Sequence, residues 1–125
     1  MTHPQHEYEV TKAALCFLPF AERMNRVDPP CHADLQLWIA GQEFLLELDR
    51  DTMSTNELRR RMADYEHYAH DVLWVCPSRQ RVEQMKTLVR EFQTHLWFTT
   101  LAELRANPRG YVWEDVNGDR SCFTT

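Results

Sequence analysis

The chain has 125 residues, 43% hydrophobic and 26% charged, with a formal net charge of −5. That suits one ordinary globular domain over residues 1–125 and argues against a general nucleic-acid coat protein, which needs excess Lys and Arg to neutralise phosphates. No apolar run approaches the roughly 20 residues that a bilayer requires, and no charged-then-apolar leader opens the chain, so a cytoplasmic protein with no membrane partner is expected.

Residues 1–7 are polar and read as a loose lead-in. From Tyr8 to Met24, the apolar residues Val10, Ala13, Ala14, Phe17, Ala21 and Met24 recur at helical spacing, with Pro19 kinking or ending the helix. Asp28-Pro29-Pro30 reads as a stiff connector. From Asp34 to Asp49 the period becomes two, and Gly41-Gln42 suits a type II′ turn between two strands. Ser54-Thr55-Asn56-Glu57 is a capping box that opens a helix with Leu58, Met62, Tyr65 and Ala69 on one face. Asp71 to Cys76 is a strand, and Pro77-Ser78 starts a helix that turns Val82, Met85, Val89 and Phe92 inward. Leu96 to Thr99 is a further strand, parallel to the last by the usual βαβ rule. Thr100 to Glu103 caps a short helix ending before Pro108, and Asn117-Gly118 suggests a type I′ turn in a terminal hairpin. The expected fold class is α/β, a mixed sheet with a central β-hairpin and flanking helices.

The four cysteines, Cys16, Cys31, Cys76 and Cys122, form no C-x-x-C pair and read as reduced thiols. Cys31-His32 could begin a zinc site but has no second ligand pair at finger spacing.

Counting outward from a Gly41-Gln42 turn pairs Gln36 with Glu47 and Asp34 with Asp49. Alternation then sets Asp34, Gln36, Glu47 and Asp49 on one face at the open end of the hairpin. Opposed like charges destabilise a sheet by up to about 1 kcal/mol per pair, so a cation or open solvent is expected there. Oxygen ligands at this density suit Mg²⁺ or Mn²⁺, which could polarise a phosphodiester and supply hydroxide. The alternative is an acidic strand face bathed in solvent.

At these residues the sequence resembles the PD-(D/E)xK nuclease superfamily, which places an Asp at the start of one strand and (D/E)-x-K on the next, before a helix and another strand. Over residues 32 to 105, F-L-L-E-L-D-R-D-T, R-M-A-D-Y and V-L-W-V-C-P-S-R are similar to the nuclease-like domain of plasmid replication-relaxation proteins. The resemblance implies a restriction-endonuclease-like core, Asp34, Glu47 and Asp49 as metal ligands and catalytic groups, and a role in plasmid or phage DNA processing. Three features depart from the family. Asp49 stands where the superfamily has its lysine, His32-Ala33 replaces the usual Pro before the motif Asp, and no room exists for a winged helix. Arg61, on one helical stripe with Tyr65 and Tyr68, falls where the narrower family has a lysine and is the candidate replacement cation.

Arg50, Arg59, Arg60 and Arg79 are candidate phosphate contacts, with Arg81 near the start of the same helix as Arg79; a solvated basic surface is the plain alternative. Trp38, Trp74, Trp97 and Trp113 all fall in expected strands and read as core or interface. His67 and His70 are candidate ligands or ordinary surface histidines. Two functions stay open. One is an active Mg-dependent DNA endonuclease. The other is a degenerate member that binds DNA, or inhibits or regulates a protein partner, as a homodimer or otherwise.

Overall fold

The structure is a computed structural model and describes residues 4–27, 33–68, 70–92 and 95–123. Its elements run α1 (Pro4–Phe17), β1 (Arg23–Arg26), β2 (Leu35–Ile39), β3 (Gln42–Leu48), α2 (Thr55–Tyr65), β4 (Asp71–Cys76), α3 (Arg79–Val89), β5 (Leu96–Thr100), α4 (Leu101–Ala106), β6 (Trp113–Glu114) and β7 (Arg120–Ser121). The strands form one mixed sheet in strict chain order, β1 to β7. β3, β4 and β5 are parallel, and the other neighbours pair antiparallel. The α/β class and its central β2–β3 hairpin are as expected.

Alternation along the strands divides the core in two. Leu35, Leu37, Ile39, Phe44, Leu46, Leu48, Leu73 and Val75 pack with Val10, Ala13 and Phe17 of α1 and Leu104 of α4. Leu45, Val72, Trp74, Cys76, Leu96 and Phe98 pack on the other face against Leu58, Met62 and Tyr65 of α2 and Val82, Met85 and Val89 of α3. Thus α2 and α3 cross the same face, as connections of one hand must when a sheet grows in one direction. The four tryptophans lie in β2, β4, β5 and β6 as expected.

Several local expectations are corrected. Residues 4–7 are helical, because Pro4 suits the first position of α1, where no amide need donate. That helix ends at Phe17, before Pro19, which is one of the two expected outcomes, but Met24 belongs to β1, a strand whose RMNR sequence lacks clear alternation. The hairpin turns on Ala40-Gly41, both at positive φ (51° and 78°), a type I′ pattern, and Ile39 pairs with Gln42. The register therefore slides by two residues from the expected one; a slide of two leaves every side chain on its expected face. In the terminal hairpin only Gly118 has positive φ, and Gly118 N donates to Asp115 O at 3.0 Å, so that turn is not type I′. Asp28-Pro29-Pro30, Cys31-His32 and Ala69 lie outside the described residues.

Candidate functional site

Strand directions bring several ends to one edge of the sheet. β3, β4 and β5 finish there, β2 starts there, and α2 and α3 begin there after their parallel strands. The first turns of α1 reach the same edge, where His6 Nε2 lies 2.7 Å from Asp34 Oδ1. Helix amino ends and strand carboxyl ends converge, an arrangement that favours anions and is a common place for ligands in α/β sheets.

Asp34 sits just before β2. Its backbone N–H donates to Leu46 O at 2.8 Å, and its Oδ2 accepts from Leu48 N at 2.7 Å. One oxygen therefore fastens the end of β3 while the other faces His6. The buried Nδ1 of His6 has no hydrogen-bond partner among the described residues.

Glu47 projects under α2 and is only 2% exposed. Arg61 and Tyr65, four residues apart on α2, donate to its two oxygens, Oε1 and Oε2 respectively. Burial pushes the Glu47 carboxyl up to about 8, and the nearby Asp34 carboxylate adds to the rise. Arg61 and the Tyr65 hydroxyl pull in the opposite direction without cancelling it.

Asp49 follows β3 and turns toward α3. Arg81 Nε donates to Oδ2 at 2.6 Å and Nη2 to Oδ1 at 3.3 Å, so the fork engages both oxygens. Oδ1 also accepts from Asp51 N at 2.8 Å. The Arg81 side chain, 7% exposed, further reaches the Asp51 carboxylate at 3.1 Å.

Asp34, Glu47 and Asp49 therefore occupy one edge but divide among different partners. Asp34 meets His6, Glu47 meets Arg61 and Tyr65, and Asp49 meets Arg81. This bears on Mg²⁺ or Mn²⁺. A guanidinium already stands beside Glu47 and another beside Asp49, and they take up carboxylate oxygens that a divalent ion would need. Among the described residues no group of three His, Cys, Asp or Glu side chains is placed to hold a metal. As arranged, these residues do not fit a divalent ion.

The expected phosphate contacts separate as well. Arg50 lies beyond the end of β3, where strand alternation no longer fixes its direction. It lines a cavity of about 220 Å³ together with His6, Asp34, Glu47 and Arg61, and forms no ion pair among the described residues. Arg60 is exposed, and Arg59 pairs with Glu91 at 3.2 Å on the surface. Arg79 is taken up by Glu83, Glu103 and Glu114. Burial pushes the Glu114 carboxyl up, but Lys86 and Arg79 together outweigh it and hold Glu114 below its ordinary value. His67 is exposed, and His70 pairs with Glu43 at 3.1 Å near the start of β3, away from Asp34.

The sequence reading missed His6, assigned to a loose lead-in, and the bond that Arg81 makes to Asp49. Pro4 was the available signal for the first, as a helix-starting proline one turn before a polar face. No protein-family model matches the chain, and no curated protein or solved structure matches it at a significant level.

Proposed function

We propose that this chain is a restriction-endonuclease-like protein of plasmid or phage DNA processing that binds nucleic acid at the Asp34–Glu47 edge without cutting it. The observation that carries this reading is the replacement of mobile cation sites by tethered ones, Arg61 on Glu47 and Arg81 on Asp49. The resemblance supports the ancestry. Its first two motifs meet at this edge through Glu47 with Arg61 and Tyr65, and the third runs beside the first, where Asp49 N donates to Val75 O at 2.8 Å. An Asp precedes β2, two acids lie along and just past β3, and a helix and a parallel strand follow. The helix amino ends and the unpaired Arg50 supply attraction for phosphate in a chain whose total charge is negative.

The test is fluorescence anisotropy with labelled DNA over a range of salt, beside a cleavage assay in millimolar Mg²⁺ or Mn²⁺. Salt-sensitive binding without cleavage is expected. Arg50→Ala should weaken binding about tenfold and lower the salt slope by about 1. Mn²⁺-dependent cleavage that disappears in Asp34→Asn would establish the endonuclease reading instead. No DNA binding at low salt would leave a regulator or inhibitor of a protein partner as the surviving alternative.

A further inference from the structure

We propose that this edge takes one unpaired nucleotide, with its phosphate against Arg50 and Arg61 and its base in a neighbouring apolar slot. The inference rests on the nucleic-acid reading above and specifies single-stranded substrate. Two cavities flank the end of β3 and share Leu48, Arg50 and Thr52 as common walls. The smaller, about 220 Å³, carries Arg50 and Arg61 together with the carboxyls of Asp34 and Glu47. Of these carboxyls, Asp34 is engaged by His6 and Leu48 N, and Glu47 by Arg61 and Tyr65. The larger, about 420 Å³, is lined by Leu48, Pro77 and Leu101. Its size falls within the range of about 300–1,000 Å³ usual for small-molecule sites.

Arg50, in no ion pair among the described residues, offers a cation to a phosphate in the first cavity and also walls the second, so the two together match the two ends of a nucleotide. Stacked duplex bases face each other and are not free to enter such a slot. An unpaired or extruded base enters it and packs between apolar side chains. Gln5 and Glu9, one turn apart on α1, line the same slot, and Gln5 Nε2 donates to Glu9 Oε1 at 2.7 Å. A glutamate carboxylate accepts from an exocyclic amino group such as that of cytosine. The slot therefore suits an amino-bearing base, and cytosine is the probe of choice. Asp49 also lines the slot, but its charge is neutralised by Arg81.

The experiment measures displacement of a labelled single-stranded oligonucleotide by deoxycytidine monophosphate, deoxycytidine and inorganic phosphate, with a duplex of the same sequence as a further competitor. Deoxycytidine monophosphate is expected to compete at least tenfold better than either fragment, and the single strand at least tenfold better than the duplex. Gln5→Trp places a large ring in the base slot from an exposed helix position. It should reduce competition by the nucleotide to the level of inorganic phosphate. Equal competition by nucleotide and phosphate, or a Gln5→Trp protein that keeps the wild-type preference, would overturn the nucleotide slot while DNA binding stood. Absence of any oligonucleotide binding would overturn the slot together with the reading on which it rests.

Discussion

Glu47 shows how one side chain can carry opposing requirements. Strand alternation directs it under α2, where burial disfavours its charge, yet Arg61 and Tyr65 both donate to it. The folded carboxyl holds its proton up to about 8, whereas an unfolded glutamate releases it near its ordinary value. Between those two pH values the folded state binds more protons than the unfolded state. Stability from this group is therefore fully present at low pH and is lost as pH rises through about 8. Glu47→Gln cannot ionise and escapes that loss. The Tm of the variant relative to wild type should rise by on the order of 5 °C between pH 5 and pH 8. A difference that stays constant across this range would show that Glu47 is ionised in the folded protein throughout. Asp49 is the contrasting case, since the fork of Arg81 meets both its oxygens and compensates for its burial.

Among the elements, the β2–β3 hairpin decides which acids come together. With Ala40-Gly41 as the turn, Leu35 pairs with Leu46, and continuing that register sets Asp34 across from Glu47. The expected turn one residue later would have set Asp34 across from Asp49. Ala40 occupies the left-handed region at φ 51°. That conformation costs an L-residue with an ordinary side chain roughly 1–2 kcal/mol, and asparagine tolerates it better. Ala40→Asn, which creates the favoured Asn-Gly pair, should raise the unfolding free energy in urea by about 0.5–1 kcal/mol. Unchanged or lower stability would argue against this turn, and with it against the Asp34–Glu47 juxtaposition. The helices are simpler. Ser54, Ser78 and Thr100 each accept from a backbone N–H three residues on, which is why α2, α3 and α4 begin where their sequences suggest.

Over the whole molecule, strict strand order gathers strand carboxyl ends and helix amino ends at one edge, and the C-terminal segment closes the core beneath them. Phe123 lies beyond β7, yet its ring is 5.0 Å from that of Phe44 and 5.1 Å from that of Trp97. It also lies 6.3 Å from Trp113, so chain segments from β3, β5 and β6 meet on it. Because Phe123 is only partly buried, Phe123→Ala should cost about 2 kcal/mol, less than a fully buried phenylalanine. Denaturant unfolding monitored by tryptophan fluorescence measures the loss, and stability equal to wild type would show that the C-terminal segment does not support the core. No helix among the described residues is long and apolar enough to cross a membrane.

Sequence by itself determined what depends on near neighbours. Apolar period, capping residues and prolines identified α2, α3, α4, β4 and β5, and alternation assigned Asp34 and Glu47 to one face of the hairpin. Strand β1 and the helical start at Pro4 were hidden because neither RMNR nor the polar first turns carry an apolar period. Tertiary structure alone decided the partners. Arg61 and Tyr65 lie 14 and 18 positions from Glu47, Arg81 lies 32 from Asp49, and His6 lies 28 from Asp34. Charge on a sequence shows that cations and carboxylates are present. Which of them meet depends on crossover direction, on a turn displaced by one residue and on the exclusion of water beneath a helix, and that choice separates an open metal cluster from arginine-paired acids.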